Sequence, residues 1–140
     1  MAYKNNPPPS VKPEEVPENY VDLAEARMRL HSGKVSTSRL RNLLSIITDC
    51  YHTEKRSKEE RISEDTAEAL NHMRSLIAYK MEWSQEKSRF NRFGWFIQEV
   101  KLLEYLYSVT DSQSRKAFLR FFYYLESLVA YHKYMGGKEE

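Results

Sequence analysis

All five prolines of this 140-residue chain fall at or before position 17. Proline locks φ and removes an amide donor, so it interrupts helices and central strands. Pro7-Pro8-Pro9, Pro13 and Pro17 mark residues 1–18 as an extended leader, and Glu14, Glu15 and Glu18 add charge instead of apolar surface. We expect this leader to be disordered, either as an unstructured tail or as a partner-binding arm. Beyond it, the only strong breakers are the four glycines. Nothing there alternates with a period of two over a useful length, so long helices are the available solution. The sequence predicts an all-α fold, with residues 19–138 as a single compact bundle of about five helices. A chain of this size buries roughly two thirds of its unfolded surface as one domain.

Helix 1 is expected over about Tyr20–Leu30, with Asn19 as N-cap, Asp22 in the first turn and Gly33 ending it. Helix 2 starts at Ser36 or Thr37 and runs to about Arg56, with Leu40, Leu43, Leu44, Ile47, Cys50 and Tyr51 on its apolar stripe. The charged stretch Thr53–Arg61 reads as a loop. Ser63-Glu64-Asp65-Thr66 starts helix 3 with a hydroxyl cap and acidic first turn. That helix has two apolar stripes: Leu70, Met73, Ile77 and Met81 on one side, Leu76, Tyr79 and Trp83 on another. Such a helix is expected to lie between neighbours. Helix 4 is expected over about Arg92–Val109, with Phe93, Phe96, Val100, Leu103 and Tyr107 inward, and Asp111 capping helix 5.

Helix 5 separates into two faces at 100° per residue. Phe118, Phe121, Phe122, Leu125, Leu128, Val129 and His132 share a core face. Lys116, Arg120, Tyr123, Ser127, Tyr131 and Tyr134 share the opposite one, which combines cations, hydroxyls and flat rings. The helix stops on Gly136-Gly137.

Catalytic chemistry finds little support. The chain has no Gly-rich phosphate loop, no His-Glu-x-x-His pair and no Cys-x-x-Cys. His31, His52, His72 and His132 belong to four different helices, and no spacing among them suggests a metal site. His132 reads as a hydrogen-bonded core histidine. The single cysteine, Cys50, excludes an internal disulfide and reads as a small buried hydrophobe. Acidic residues come in runs, Glu59-Glu60 and Glu64-Asp65, that suit solvated faces and helix starts. We expect no enzyme activity, no cofactor and no metal. No apolar stretch approaches the ~20 residues that span a bilayer, and no apolar signal core opens the sequence, so a cytoplasmic protein with no membrane partner is expected.

The net charge of +2 does not by itself mark a nucleic-acid binder. The placement of the cations is more telling. Arg41, Ser45, Thr48 and His52 form a polar stripe on helix 2, with Lys34 and Arg39 before it and Lys55, Arg56, Lys58 and Arg61 after it. Arg74 sits at the edge of the helix 3 apolar face, where it needs a carboxylate within the fold or a phosphate from outside. Lys87, Arg89 and Arg92 surround Phe90, and helix 5 adds Arg115, Lys116 and Arg120. Each is also an ordinary solvated surface residue or a helix-dipole partner. Tyr123, Tyr131 and Tyr134 lie opposite the phenylalanine stripe and suit either base stacking or a subunit interface.

Ser36-Thr-Ser-Arg-Leu-Arg-Asn-Leu-Leu44 resembles the hydroxyl-rich helix start, followed by an arginine, of the small subunit of type III-A CRISPR interference complexes, the Csm complex small subunit. Glu126-Ser-Leu-Val-Ala-Tyr-His-Lys-Tyr-Met-Gly-Gly-Lys138 is similar to that family's C-terminal signature. Asn19-Tyr-Val-Asp-Leu-Ala-Glu25 and Arg74 ahead of Tyr79 fall in the expected order, so the resemblance covers about residues 19–138. One departure stands out. The family follows the helix 3 tyrosine with a small residue and a Gly-Arg pair, whereas Tyr79 here precedes Lys80-Met81-Glu82-Trp83.

The resemblance implies a five-helix, non-catalytic subunit that stacks in several copies along a guide–target RNA duplex in antiviral defence. Its partners would be CRISPR RNA, target RNA, other copies of itself, a backbone subunit that cuts target RNA, and a large subunit with nuclease and cyclic-oligonucleotide activities. Arg41 and Arg74 carry over best as RNA-binding positions, joined by Lys34, Lys55, Lys116 and Arg120. Tyr123, Tyr131 and Tyr134 are the partner-interface candidates. A purely structural scaffold without RNA contact remains an alternative, as do a helix-turn-helix DNA-binding regulator and a helical nuclease.

Overall fold

The computed structural model describes residues 6–137. It contains α1 (Tyr20–His31), a 3-10 turn (Ser32–Lys34), α2 (Thr37–Arg56), α3 (Glu64–Met81), α4 (Arg92–Glu99), α5 (Leu102–Ser112) and α6 (Arg115–Tyr134). Among the described residues the only β pairing is two isolated bridges, Arg61 with Ser114 and Ser84 with Arg89. Local capping chemistry sets most helix starts. Side-chain oxygens of Ser36, Ser63, Asn91 and Ser114 accept from the backbone N–H three residues on, at 3.2, 3.2, 2.8 and 3.2 Å. Asn19 occupies the N-cap of α1 but its side chain makes no capping bond.

Six helices replace the expected five, because the stretch Arg92–Val109 breaks in two. Lys101 adopts left-handed backbone, φ 56°, between α4 and α5. The break strands the Val100 carbonyl, and other helices satisfy it. Tyr124 of α6 donates to it at 2.7 Å and Arg27 of α1 at 3.3 Å. The turn therefore depends on donors distant in sequence. Asp111 is not a cap: α5 continues through it to Ser112, Gln113 turns the chain at φ 57°, and Ser114 caps α6.

Helices α2, α3, α5 and α6 pack in a ring, each on the next, and α1 lies against α6 and α4. Leu40, Leu43 and Ile47 of α2 meet Leu70, Met73, Ile77 and Met81 of α3 and the Phe118, Phe121, Phe122, Leu125 and Leu128 stripe of α6, all buried. Each such side chain contributes on the order of 2 kcal/mol of burial. Helix α3 lies between α2, α4 and α5, as its two stripes predict, with Leu76 half-buried against the core; Tyr79, on the second stripe, is instead 81% exposed.

The charged segment after α2 is clamped down. Ile62 N–H donates to Gln113 O at 2.9 Å, and Arg115 donates through its backbone N–H to Glu60 O, through Nε to Glu59 O, and through a guanidinium nitrogen to Glu54 O. Glu54, on the last turn of α2, is turned inward and 1% exposed. Its carboxylate accepts from Ser63 N–H at 2.9 Å and from the Thr66 hydroxyl at 2.7 Å, fastening α2 to the start of α3.

His132 is buried. Its Nε2 donates to the carbonyls of Val35 and Ser32 at 2.7 and 3.0 Å, and its Nδ1 meets the Thr37 hydroxyl at 2.9 Å. The diglycine ending follows from this ring. Gly136 takes φ 77°, and Gly137 lies so close that a Cβ would overlap the imidazole.

Residues 1–5 of the expected leader lie outside the described residues; residues 6–17 carry no regular secondary structure and lie along the bundle. The Trp83 indole donates to Asn6 O at 2.6 Å, Glu14 N–H donates to Glu104 O at 3.0 Å, and Lys101 pairs with Glu14 at 2.9 Å. Val16 is buried.

Candidate nucleic-acid interface

A cationic surface forms where the turn after α1, the start of α2, the turn after α3 and the start of α4 meet. Ser36 caps α2, which puts Arg39 in the first turn of that helix. Asn91 caps α4 and also donates to Lys80 O at 2.8 Å and Glu82 at 2.9 Å. Its N–H bonds Met81 O at 3.1 Å. Gly94 permits the close packing: a Cβ there would overlap Phe90 and crowd Met81 O. The intervening turn closes with Ser84 N–H on Arg89 O at 2.9 Å. These local bonds order the turn that carries Arg89 and Arg92, and Trp95 of α4 packs under Lys34.

Two adjoining cavities of about 750 and 760 Å³ result, sharing Lys34, Asn91 and Arg92. The first is also lined by Lys87, Arg89, Phe90 and Trp95, with Glu82 as its one carboxylate. The second adds Arg39, Phe93 and the Gly136-Gly137 ending. Two cations stand over aromatic rings here: Lys34 Nζ is 3.9 Å from the Trp95 ring centre and the Arg39 guanidinium is 5.3 Å from that of Phe93.

Trp95 is half-exposed, and its Nε1 donates to Glu99 at 2.6 Å. His31 connects the same group, its Nδ1 2.7 Å from Lys34 Nζ and its Nε2 3.8 Å from Glu99. Burial, with the Lys34 ammonium beside it, holds the His31 imidazole below its ordinary value, and this outweighs Glu99. The folded chain thus takes up this proton less readily than the unfolded chain. The resulting stability is fully present above pH about 6.5 and is lost as pH falls from there through the folded value. Proton NMR titration should place the His31 midpoint below that of a model peptide. A midpoint above it would mean that Glu99 controls the ring.

The structure gathers only part of the sequence-derived set. Lys34 is in the cleft. Arg39 lies there too, as do Lys87, Arg89 and Arg92, which the sequence shows only as a local cluster around Phe90. Sequence reasoning misses Trp95 although a signal exists, because Phe93, Phe96 and Ile97 face inward and leave position 95 outward.

Arg41, Thr48 and Lys55 recur every seven residues and share one face of α2, spanning about 21 Å. Arg41 is exposed, and Lys55 Nζ lies 5.6 Å from the Tyr51 ring centre. Arg74 stacks on Tyr107 at 5.3 Å. That is the α3–α5 side of the ring, across from the α2–α6 side where Lys55 lies. Lys116 and Arg120 line a small cavity of about 190 Å³ with Glu15 and Val16, and Arg120 donates to Val16 O at 3.4 Å.

The three tyrosines differ in situation. Tyr123 is half-buried, stacked near Tyr20, with its hydroxyl 3.3 Å from that of Tyr51. That bond, with burial, pushes Tyr123 up to about 12. Tyr131 is half-buried against Tyr134, which is 78% exposed.

Glu82 ends α3 with φ 46°, the left-handed conformation that glycine adopts without penalty. Trp83 packs edge-on against Phe90, 4.8 Å between ring centres, and holds the leader in place of presenting a cation. Cys50 is half-buried and its thiol is pushed up by burial. Among the described residues no three of His, Cys, Asp and Glu come together as a metal site, and no helix is long and apolar enough to cross a membrane.

Comparison with known proteins agrees with the motifs. Residues 14–138 match the family described as Csm2 Type III-A. The chain is 31% identical over 128 residues to the CRISPR system Cms protein Csm2 of Streptococcus thermophilus, covering 87% of this chain and 95% of that protein. It is 29% identical over 129 residues to the Csm2 protein of Mycobacterium tuberculosis (strain H37Rv), covering 89% and 98%. The Csm2 protein of Enterococcus italicus is 31% identical over 100 residues, covering 71% and 67%. With that match running along an all-helical chain from the leader to the diglycine ending, the protein belongs to the Csm2 type III-A family, the small subunits of the type III-A CRISPR complex.

Proposed function

We propose that this subunit holds RNA through its phosphates within the type III-A ribonucleoprotein and performs no chemistry itself. Several copies stack along the guide–target duplex in the cytoplasm, beside the backbone and large subunits. The observation that carries this reading is the convergence of Lys34 and Arg39 with Lys87, Arg89 and Arg92 on two adjoining cavities, from two stretches far apart in sequence. A near-neutral protein gains a local positive field only by such gathering. Arg41 and Lys55 offer a second line of cations along α2. Arg74, on the far side of the ring from Lys55, would meet a different stretch of RNA or a neighbouring copy.

Phosphate contacts carry no sequence information. Binding curves for unrelated RNAs of equal length should therefore overlay, and should weaken together as salt rises. With Mg²⁺ or Mn²⁺ present, the purified protein should leave those RNAs intact. Strong preference for one sequence, or metal-dependent cleavage by the pure chain, would overturn this reading. The exposure of Tyr134 at 78% and of Leu30 at 76% supports an additional contact between subunits.

A further inference from the structure

We propose that the Trp95 indole stacks an unpaired RNA base while Lys34, Arg89 and Arg92 hold its flanking phosphates. The inference rests on the reading of this cleft as an RNA surface, and it specifies single-stranded RNA as the occupant.

Three observations carry it. First, Trp95 is 49% exposed within a cavity of about 750 Å³, ample for one nucleotide, instead of lying on a convex surface. Second, the ring is oriented in advance. Glu99 fixes its Nε1 edge at 2.6 Å, and Gly94 packs the start of α4 against Phe90 and the end of α3. Third, the lining is cationic. Lys34, Lys87, Arg89 and Arg92 line the same cavity as the indole, and the one lining carboxylate, Glu82, is engaged by Asn91 at 2.9 Å.

An exposed tryptophan also suits a protein interface, but such interfaces are depleted of lysine at their centres. Here Lys34 Nζ stands 3.9 Å from the indole centre. That lysine already satisfies the electron-rich ring with a cation. Its flexible stem lets it swing to a phosphate as a base takes its place. A duplex exposes backbone and groove edges but not base faces, so only an unpaired or splayed base can stack. Stacking of this kind contributes ~1–3 kcal/mol per base, about 5- to 150-fold in affinity.

The chain has two tryptophans, so Trp83→Phe leaves Trp95 as the sole indole while keeping an aromatic ring beside Phe90. A ten-nucleotide oligoadenylate, added at low salt, should quench that fluorescence. A ribose-phosphate oligomer of equal length without bases, and a fully paired duplex, should bind without quenching it. In the otherwise native chain, Trp95→Leu should weaken oligoadenylate binding about tenfold and leave duplex binding unchanged, with Trp95→Phe intermediate. Equal binding of the base-free strand, absence of quenching by oligoadenylate, or an unaffected Trp95→Leu protein overturns the stacking site while leaving phosphate binding intact. Loss of assembly with other subunits but undiminished RNA binding in Trp95→Leu also overturns it, in favour of a protein anchor. Failure of all these RNAs to bind removes the phosphate reading as well.

Discussion

Removing Lys34, Arg89 and Arg92 together, each to Ala, should lower RNA affinity by about two orders of magnitude at 0.1 M salt. The slope of log affinity against log salt should shrink by about two to three units. Counterion release is the cause. Each cation that meets a phosphate frees roughly one condensed ion, so deleting three such cations changes the slope as well as the affinity. Folding should survive, because Arg89 and Arg92 are exposed and the half-buried Lys34 sets its ammonium against His31 and the indole face at the rim of the cleft. The melting temperature should move by no more than about 1 kcal/mol of stability implies. Arg41→Ala with Lys55→Ala provides the comparison, because it removes two cations from the α2 stripe and leaves the cleft intact. If that pair costs more than the triple, the stripe between α2 and α6 is the principal RNA surface. If the triple leaves the slope unchanged, the cleft does not touch phosphate.

Glu54→Ala should destabilise the protein by about 3 kcal/mol, with the melting temperature falling by roughly 10 °C for a chain of this size. The carboxylate is 1% exposed and is the acceptor for Ser63 N–H and the Thr66 hydroxyl. Truncation leaves both donors facing a cavity that neither can leave, and an unpaired buried donor costs ~1–3 kcal/mol. Glu54→Gln should cost less, since both bonds end on one carboxylate oxygen, Oε2, and an amide oxygen placed there still accepts them. Glu60→Ala, in the exposed part of the same charged segment, should remain within about 0.5 kcal/mol of the native protein. Calorimetry on the three variants tests the ordering. Equal melting of Glu54→Ala and the native chain would mean that the clamp between α2 and α3 lies elsewhere. RNA binding by the folded fraction should not change, which separates this residue from those in the cleft.

Glu54 and the cleft cations also mark what a sequence can and cannot convey. Hydroxyl caps at Ser36 and Ser63, and the apolar stripes of α2 and α6, act between residues three to eight apart, so helical periodicity writes them directly into the chain. The same holds for the hydroxyl-rich start of α2 and the diglycine ending, which carry the family likeness, and for the inward placement of His132, although its hydrogen-bond partners Ser32, Val35 and Thr37 are distant in sequence. Glu54 is the counterexample. It stands in a run of charged residues and reads as loop, yet it is the buried acceptor that joins two helices. Tyr79 errs the other way, apolar by pattern and exposed in fact. The break at Lys101 is equally silent in sequence, because the stranded Val100 carbonyl is satisfied by Arg27 and Tyr124, 73 and 24 residues away.

The sequence alone therefore determined the helical class, the core faces of α2 and α6 and the family, since each rests on local periodicity or contiguous motif. Only the tertiary structure decided which cations become neighbours. Lys34 and Arg39 meet Arg89 and Arg92 because Lys34 stands over Trp95 and Arg39 over Phe93, which brings α4 to the turn after α1 and the start of α2. Packing of that kind depends on groups far apart in the chain, and no periodicity encodes it.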